Sequence, residues 1–178
     1  MPDRLIARSK MWIIVDGYNV IRQWPELAML DRSDLQAGRE ALLRALQEYR
    51  RAKAHRVTVV FDGREAGGFS EGAESAGGIG VRYSRRGETA DALIARLVAE
   101  AGPSTAVVSS DHEVMAAARR HGAAWLSAAE FVSRLTTTRV ALVKGGEEDD
   151  APPVKSGKGT ARRLPKAERR RQQRLKNL

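Results

Sequence analysis

The chain has 178 residues, 42% of them hydrophobic, enough for one domain with a real core and an appendage. It has no cysteine, which excludes disulfide frameworks and thiolate zinc sites, and its apolar stretches are far shorter than the roughly 18 residues of a membrane span. The formal net charge is +9, yet residues 1–150 hold 21 Lys+Arg and 21 Asp+Glu while residues 151–178 hold 10 Lys+Arg and one acid, Glu168. The whole excess lies in the tail, and a basic arm on a neutral domain points to a polyanionic partner, with a plain solubility tail as the bland alternative. The polar start, Met1 to Lys10, contains nothing like a signal peptide. A cytoplasmic protein with no membrane partner is expected.

The first element is a strand. Trp12 to Val15 form an apolar run that leads directly into Asp16-Gly17-Tyr18-Asn19. Such a run suits a strand covered on both faces, as in a parallel sheet. Pro25 predicts a short helical turn through Leu30. Ser33 and Gln36 have capping-box spacing and predict a helix to Lys53, with Leu35, Leu42, Leu43, Leu46 and Tyr49 on its apolar face.

Val57 to Phe61 is the second strand, and it too runs into Asp-Gly, Asp62-Gly63. Residues 63–80 hold seven glycines and predict a long mobile loop. Ile79 to Tyr83 is a third short strand. Thr89 predicts an N-cap for an amphipathic helix that carries Asp91 in its first turn and stops at Gly102-Pro103. Thr105 to Ser109 is the fourth strand. Ser110 with Glu113, and Ser127 with Glu130, have capping-box spacing and predict the last two helices of the core, the second ending near Leu135. Between them, Ala123 to Leu126 is the last strand. The boundary falls near Val143. Residues 1–143 form the domain, and residues 144–178 form an acidic linker and a basic tail expected to be disordered, with a helix from Pro165 to Leu178 on binding.

In an alternating parallel sheet, strand carboxyl ends and the starts of the following helices share one edge. Asp16 and Asp62 end strands, Asp111 joins a strand to a helix, and Asp91 opens a helix. Singly, each is an ordinary turn or helix-start residue. Together they would repel one another unless a cation or protons were present. An oxygen-only donor set favours Mg²⁺ or Mn²⁺.

These four segments carry a resemblance. Asp16 to Asn19, Val59 to Asp62, Glu88 to Asp91 and Ser109 to Asp111, in this order, resemble a YacP-like NYN domain of the PIN-like nuclease superfamily over roughly Met11 to Leu135. The resemblance implies a three-layer α/β/α fold with a mainly parallel sheet. It implies a metal-dependent ribonuclease, with RNA as substrate and the ribosome as a further candidate partner. It implies that Asp16, Asp62, Asp91 and Asp111 form the catalytic metal site. Asn19 then sits at its rim, and Glu88, Thr89 and Ser110 support the site or touch substrate. The basic tail lies outside the resemblance.

Arg64, Arg85 and Arg86 follow strands near that edge and are candidate phosphate clamps. Exposed loop arginines are the equal alternative. His55, His112 and His121 do not make a site. Trp12, Trp24 and Trp125 are expected to anchor the core, and Tyr18 to pack under its turn rather than stack on a base. Two relatives of the sheet-edge acid design fail on sequence. A haloacid-dehalogenase-type phosphatase needs an acid where Tyr18 stands, and a response-regulator receiver needs a lysine after the last strand. The remaining rival is a non-catalytic RNA- or ribosome-binding protein on a nuclease-like scaffold.

Overall fold

Among the described residues, six strands form one sheet, in the order β3 (Gly72–Ala76), β4 (Ile79–Tyr83), β2 (Arg56–Phe61), β1 (Trp12–Asp16), β5 (Thr105–Val108) and β6 (Ala124–Leu126). The computed structural model describes residues 10–65, 72–144, 166–176 and 178. All pairings are parallel except that of β3 with β4. The helices are α1 (Gly17–Gln23), α2 (Pro25–Ser33), α3 (Leu35–Lys53), α4 (Ala90–Ala101), α5 (His112–Arg120), α6 (Ala128–Val143) and α7 (Lys166–Leu175).

The two faces of the sheet follow from strand parity. Ile13 and Val15 of β1, with Val57, Val59 and Phe61 of β2, join Leu42, Leu46, Phe131 and Leu135 from α3 and α6. Ile14, Val60 and Val107 point the other way and meet Leu93, Ile94, Leu97 and Val98 of α4 and Val114 of α5. The result is the expected three-layer α/β/α arrangement. No helix among the described residues is long and apolar enough to cross a membrane.

The turn out of β1 is tighter than the sequence suggested. Asp16 both ends the strand and caps α1, its carboxylate accepting from the Asn19 amide at 3.2 Å. Gly17 opens the helix against Phe61, and a Cβ there would lie 2.3 Å from the Phe61 ring. Phe61 is fully buried and has Tyr18 edge-on at 5.2 Å and Tyr83 stacked at 6.0 Å. Gly17→Ala is therefore expected to cost about 1–3 kcal/mol by overpacking. Chemical denaturation measures it, and a loss below about 0.5 kcal/mol, the scale of a neutral surface change, would mean that the ring yields freely.

Several expectations are corrected. Residues 72–80 are not loop: β3 and β4 form a hairpin around Gly77 and Gly78, both at positive φ, as a two-residue turn of this kind requires. Residues 66–71 of the glycine-rich stretch lie outside the described residues. The cap of α3 is Asp34, not Ser33, because the Asp34 carboxylate reaches the Gln36 amide at 2.8 Å while Ser33 donates to Leu30 O within α2. The cap of α5 is Asp111, not Ser110. The Ser127–Glu130 capping box and the Thr89 cap are present. α6 continues two turns beyond Leu135, with Thr136 and Thr137 hydroxyls folded back onto the carbonyls of Val132 and Ser133.

The tail differs most. Residues 145–165 lie outside the described residues, but the disorder expected of the tail does not extend to residues 166–175, which form α7 along β6. Sheet edges present unpaired backbone groups. Here Arg171 donates to Trp125 O at 3.1 and 3.2 Å while stacking 3.5 Å above the Trp125 ring centre. Arg174 donates to Pro103 O and Gly122 O at 2.8 and 2.6 Å. Leu175 and Leu178 enter the core, and Tyr49 donates its hydroxyl to Leu178 O at 2.6 Å.

Candidate active site

β1 is where the order of the sheet reverses. The chain builds outward from β1 through β2 to β4, then crosses by α4 to β5 on the other side. Ligands bind outside the carboxyl ends of strands at such a switch point. Asp16 ends β1, Asp62 follows β2, Asp111 follows β5, and Asp91 lies in the first turn of α4. All four aspartates thus come to one edge.

Asp16 is the most buried, at 7% exposure. One oxygen accepts from the Asn19 amide and the other from the Ser109 hydroxyl at 3.1 Å. Burial pushes its pKa up to about 6; the two hydrogen bonds pull it back, and the Asp91 charge adds to the rise. Asp91 is also raised, first by burial and then by Asp111, Glu113 and Asp62. Asp91 therefore senses negative charge from the start of α5 and from the residue after β2. Asp62 accepts from the Arg64 amide at 2.9 Å, and Asp111 from the amides of Glu113 and Val114.

Among the described residues, no three acidic or histidine side chains are drawn together closely enough to enclose a metal ion. The donor chemistry fits a hard divalent cation. Asp91 is linked electrostatically to each of the other three aspartates, and the described side chains do not form a closed ligand shell.

The remaining predicted residues divide into scaffold and rim. The Asn19 side chain accepts from the Ser110 amide at 3.0 Å, tying α1 to the loop after β5. The Ser110 hydroxyl accepts from the Ala128 amide, at the start of α6. Thr89 caps α4 through the Ala92 amide. Glu88 lies between Arg96 at 3.2 Å and Arg85 at 3.5 Å, so Arg85 is engaged in an ion pair. Arg64 and Arg86 are exposed. Tyr18 is buried, with its hydroxyl accepting from Arg39, and does not offer a face for base stacking.

Three residues were missed. Ser109 is 1% exposed; its hydroxyl donates to Asp16 and accepts from the Asp111 amide at 3.1 Å, joining two of the four aspartates. Its position as the last residue before the Ser-Asp pair was the available signal. Glu113, in the first turn of α5, adds to the negative edge. Arg22 of α1 bears on the Asp16 charge while pairing with Glu65 at 2.9 Å, and no spacing rule pointed to it.

A mainly parallel sheet with helices on both faces is the arrangement of an NYN-type α/β/α domain. The family model described as YacP-like NYN domain matches residues 13–177. The chain belongs to that family. The match includes the basic tail, which the four motifs alone left out. The uncharacterized protein YacP of Bacillus subtilis (strain 168) is 33% identical over 129 residues, covering 70% of this chain and 75% of that protein. The crystal structure of Rae1 (YacP) from Bacillus subtilis superimposes with a TM-score of 0.63 at 29% identity, covering 74% of this chain and 77% of that one. A mutant form gives 0.66 at 27% identity, covering 75% and 80%.

Proposed function

We propose that this protein is a ribonuclease dependent on Mg²⁺ or Mn²⁺, cutting RNA internally by hydrolysis of phosphodiester bonds. The observation that carries the reading is the convergence of Asp16, Asp62, Asp91 and Asp111 on one edge, where two of them hold raised pKa values. A repulsive cluster of this kind costs stability and is retained where a cation relieves it. Those four side chains would hold the cation, which when bound supplies an acidified water and charge stabilisation at the leaving oxygen.

The other groups have supporting roles. Ser109 orients Asp16 and fixes the start of the loop that carries Asp111. Asn19 clasps that loop to α1. Arg64 and Arg86 are exposed at the rim, on the side from which phosphate oxygens would approach, and Arg85 pairs with Glu88 there. Messenger RNA and ribosome-associated RNA are both within the proposed substrate class, and the cytoplasm is the proposed location.

A second reading draws on the open spacing of the carboxylates: a non-catalytic RNA- or ribosome-binding protein. One experiment separates the two. Purified protein is incubated with RNA in Mn²⁺, in Mg²⁺ and in EDTA. Cleavage with metal and none in EDTA is expected; intact RNA that is nevertheless bound in all three would favour the second reading.

A further inference from the structure

We propose that the outward face of α7, continued into a basic pocket between α3, α6 and the end of the chain, is an exosite that grips the phosphate backbone of RNA away from the acidic edge. The identity of the polyanion rests on the ribonuclease reading; the existence of the grip does not.

The basic tail is divided into two kinds of residue by the way α7 docks. Arg171 and Arg174 face inward, and their guanidinium groups are committed to main-chain carbonyls of the sheet edge. Glu168, the acid of this segment, pairs with Arg171 at 2.7 Å. Lys166, Arg169 and Arg170 are exposed, and at helical spacing they share a stripe on the far side of the helix from Arg171 and Leu175. The helix therefore keeps one acid inward and three cations outward.

Direction matters as much as charge. Arg174 reaches Gly122 and Pro103, which precede β6 and β5, whereas Arg171 reaches Trp125 in the middle of β6. So α7 runs antiparallel to β6. Lys166 lies five residues before Arg171, about 7.5 Å along the axis, toward the strand carboxyl ends where the aspartates are. At the other end, Lys176 lines a pocket of about 280 Å³ with Lys53, Arg134, Ser133, Thr137, Thr138 and Leu178. Three cations and three hydroxyls line it, with no acidic side chain. A basic track thus runs from the level of the acidic edge down the side of the sheet.

Such a track answers an electrostatic need. A cluster of carboxylates repels phosphates until it is metallated, and residues 1–150 carry no net charge to offset this. Attraction has to come from elsewhere. Cations fixed on a docked helix also lose less freedom on binding than cations on a free arm.

The test uses the full chain and a long single-stranded RNA in EDTA, with binding measured across salt concentrations. Two triple variants are compared with the parent: Lys166→Ala, Arg169→Ala, Arg170→Ala on the helix, and Lys53→Ala, Arg134→Ala, Lys176→Ala at the pocket. The helix triple alters exposed side chains and should keep the parent melting temperature. If each lost cation met one phosphate, the slope of log affinity against log salt should flatten by about 2 units, at about 0.7 per contact. Affinity near 50 mM salt should then fall by roughly five hundredfold and change little near 1 M. The pocket triple should flatten the slope in the same direction. Cleavage of a short oligonucleotide in Mn²⁺ at saturating enzyme should match the parent for the helix triple.

Slopes equal to the parent in both triples would overturn the exosite. So would a parent that binds anionic phospholipid vesicles but not RNA. A parent that binds long RNA steeply in EDTA yet cuts nothing with metal would sink the nuclease reading and leave the exosite standing.

Discussion

Asp16→Asn is expected to abolish RNA cleavage and, at pH 7, to make the folded protein more stable. Asn keeps the shape and can still cap α1 through its side-chain oxygen, with its NH2 donating to the Ser109 hydroxyl instead of accepting from it. It removes a buried negative charge. The Asp16 pKa rises from 3.8 to about 6 on folding, chiefly through burial. The native state thus holds this proton more tightly than the unfolded chain does. Where the native state binds more protons, stability falls as pH rises. The Asp16 contribution is therefore fully present below about pH 4 and lost progressively as pH rises through about 6. A shift of about two units corresponds to up to about 3 kcal/mol at pH 7.

The difference in unfolding free energy between Asp16→Asn and the parent should accordingly be small near pH 4 and grow in favour of the variant toward pH 7. Activity should go the other way, with a loss of at least a hundredfold, beyond the 10–100-fold typical of residues that only support ligands. Asn at Asp62, Asp91 or Asp111 should lose cleavage similarly. A variant that cuts at the parent rate, or an Asp16→Asn protein less stable than the parent at pH 7, would contradict the account of the site.

A chain ended at Lys144 is expected to lose most of its folding stability, not merely a nucleic-acid arm. Leu175 and Leu178 are buried at 8% and 2% exposure in the same core as Phe131 and Leu135. Burial of each such side chain contributes about 1.5–3 kcal/mol. Tyr49 is 1% exposed, and burial pushes its hydroxyl pKa up to about 12, so it remains a donor. Without Leu178 it loses its acceptor, at a cost of about 1–3 kcal/mol. The sum is around 5 kcal/mol, comparable with the whole stability of many domains.

A fall in melting temperature of roughly 10–20 °C, or insolubility, should follow for a protein of this size. Leu175→Ala in the full chain is the gentler version, expected near the lower end of the 2–5 kcal/mol range for such truncations. If the shortened protein melted at the parent temperature, the docking of α7 would carry no weight in the fold.

The sequence pattern conveyed the sheet well because parallel strands buried on both faces are written as continuous apolar runs, as in Ile13 to Val15 and Val57 to Phe61. Asp16, Asp62 and Asp111 were legible for the same reason, each at or just past the end of such a run, whereas Asp91 was placed by the helix it opens. What stayed hidden depends on contacts distant in sequence. Gly72 to Ala76 is small, polar and largely exposed, so nothing local marks it as a strand; its partner β4 does. The helix α1 begins with glycine and is set by the Asp16 cap and the approach of Phe61. Nor could composition distinguish Arg171 and Arg174 from the arginines around them. Only the edge of β6 assigns them to carbonyls.

The bond between Tyr49 and Leu178 joins residues 129 positions apart. Chains are made at about 5–20 residues per second, so roughly 6 to 25 seconds pass between the synthesis of one partner and the other. During that interval the growing chain can assemble β1, β2 and α3, but the hydroxyl of Tyr49 has no Leu178 carbonyl to meet and the outer edge of β6 has no cover. The last dozen residues act as a closing latch in time as well as in space. A stop ahead of residue 166 would release a protein with the edge of β6 uncovered, the species most exposed to pairing with a neighbour of its own kind.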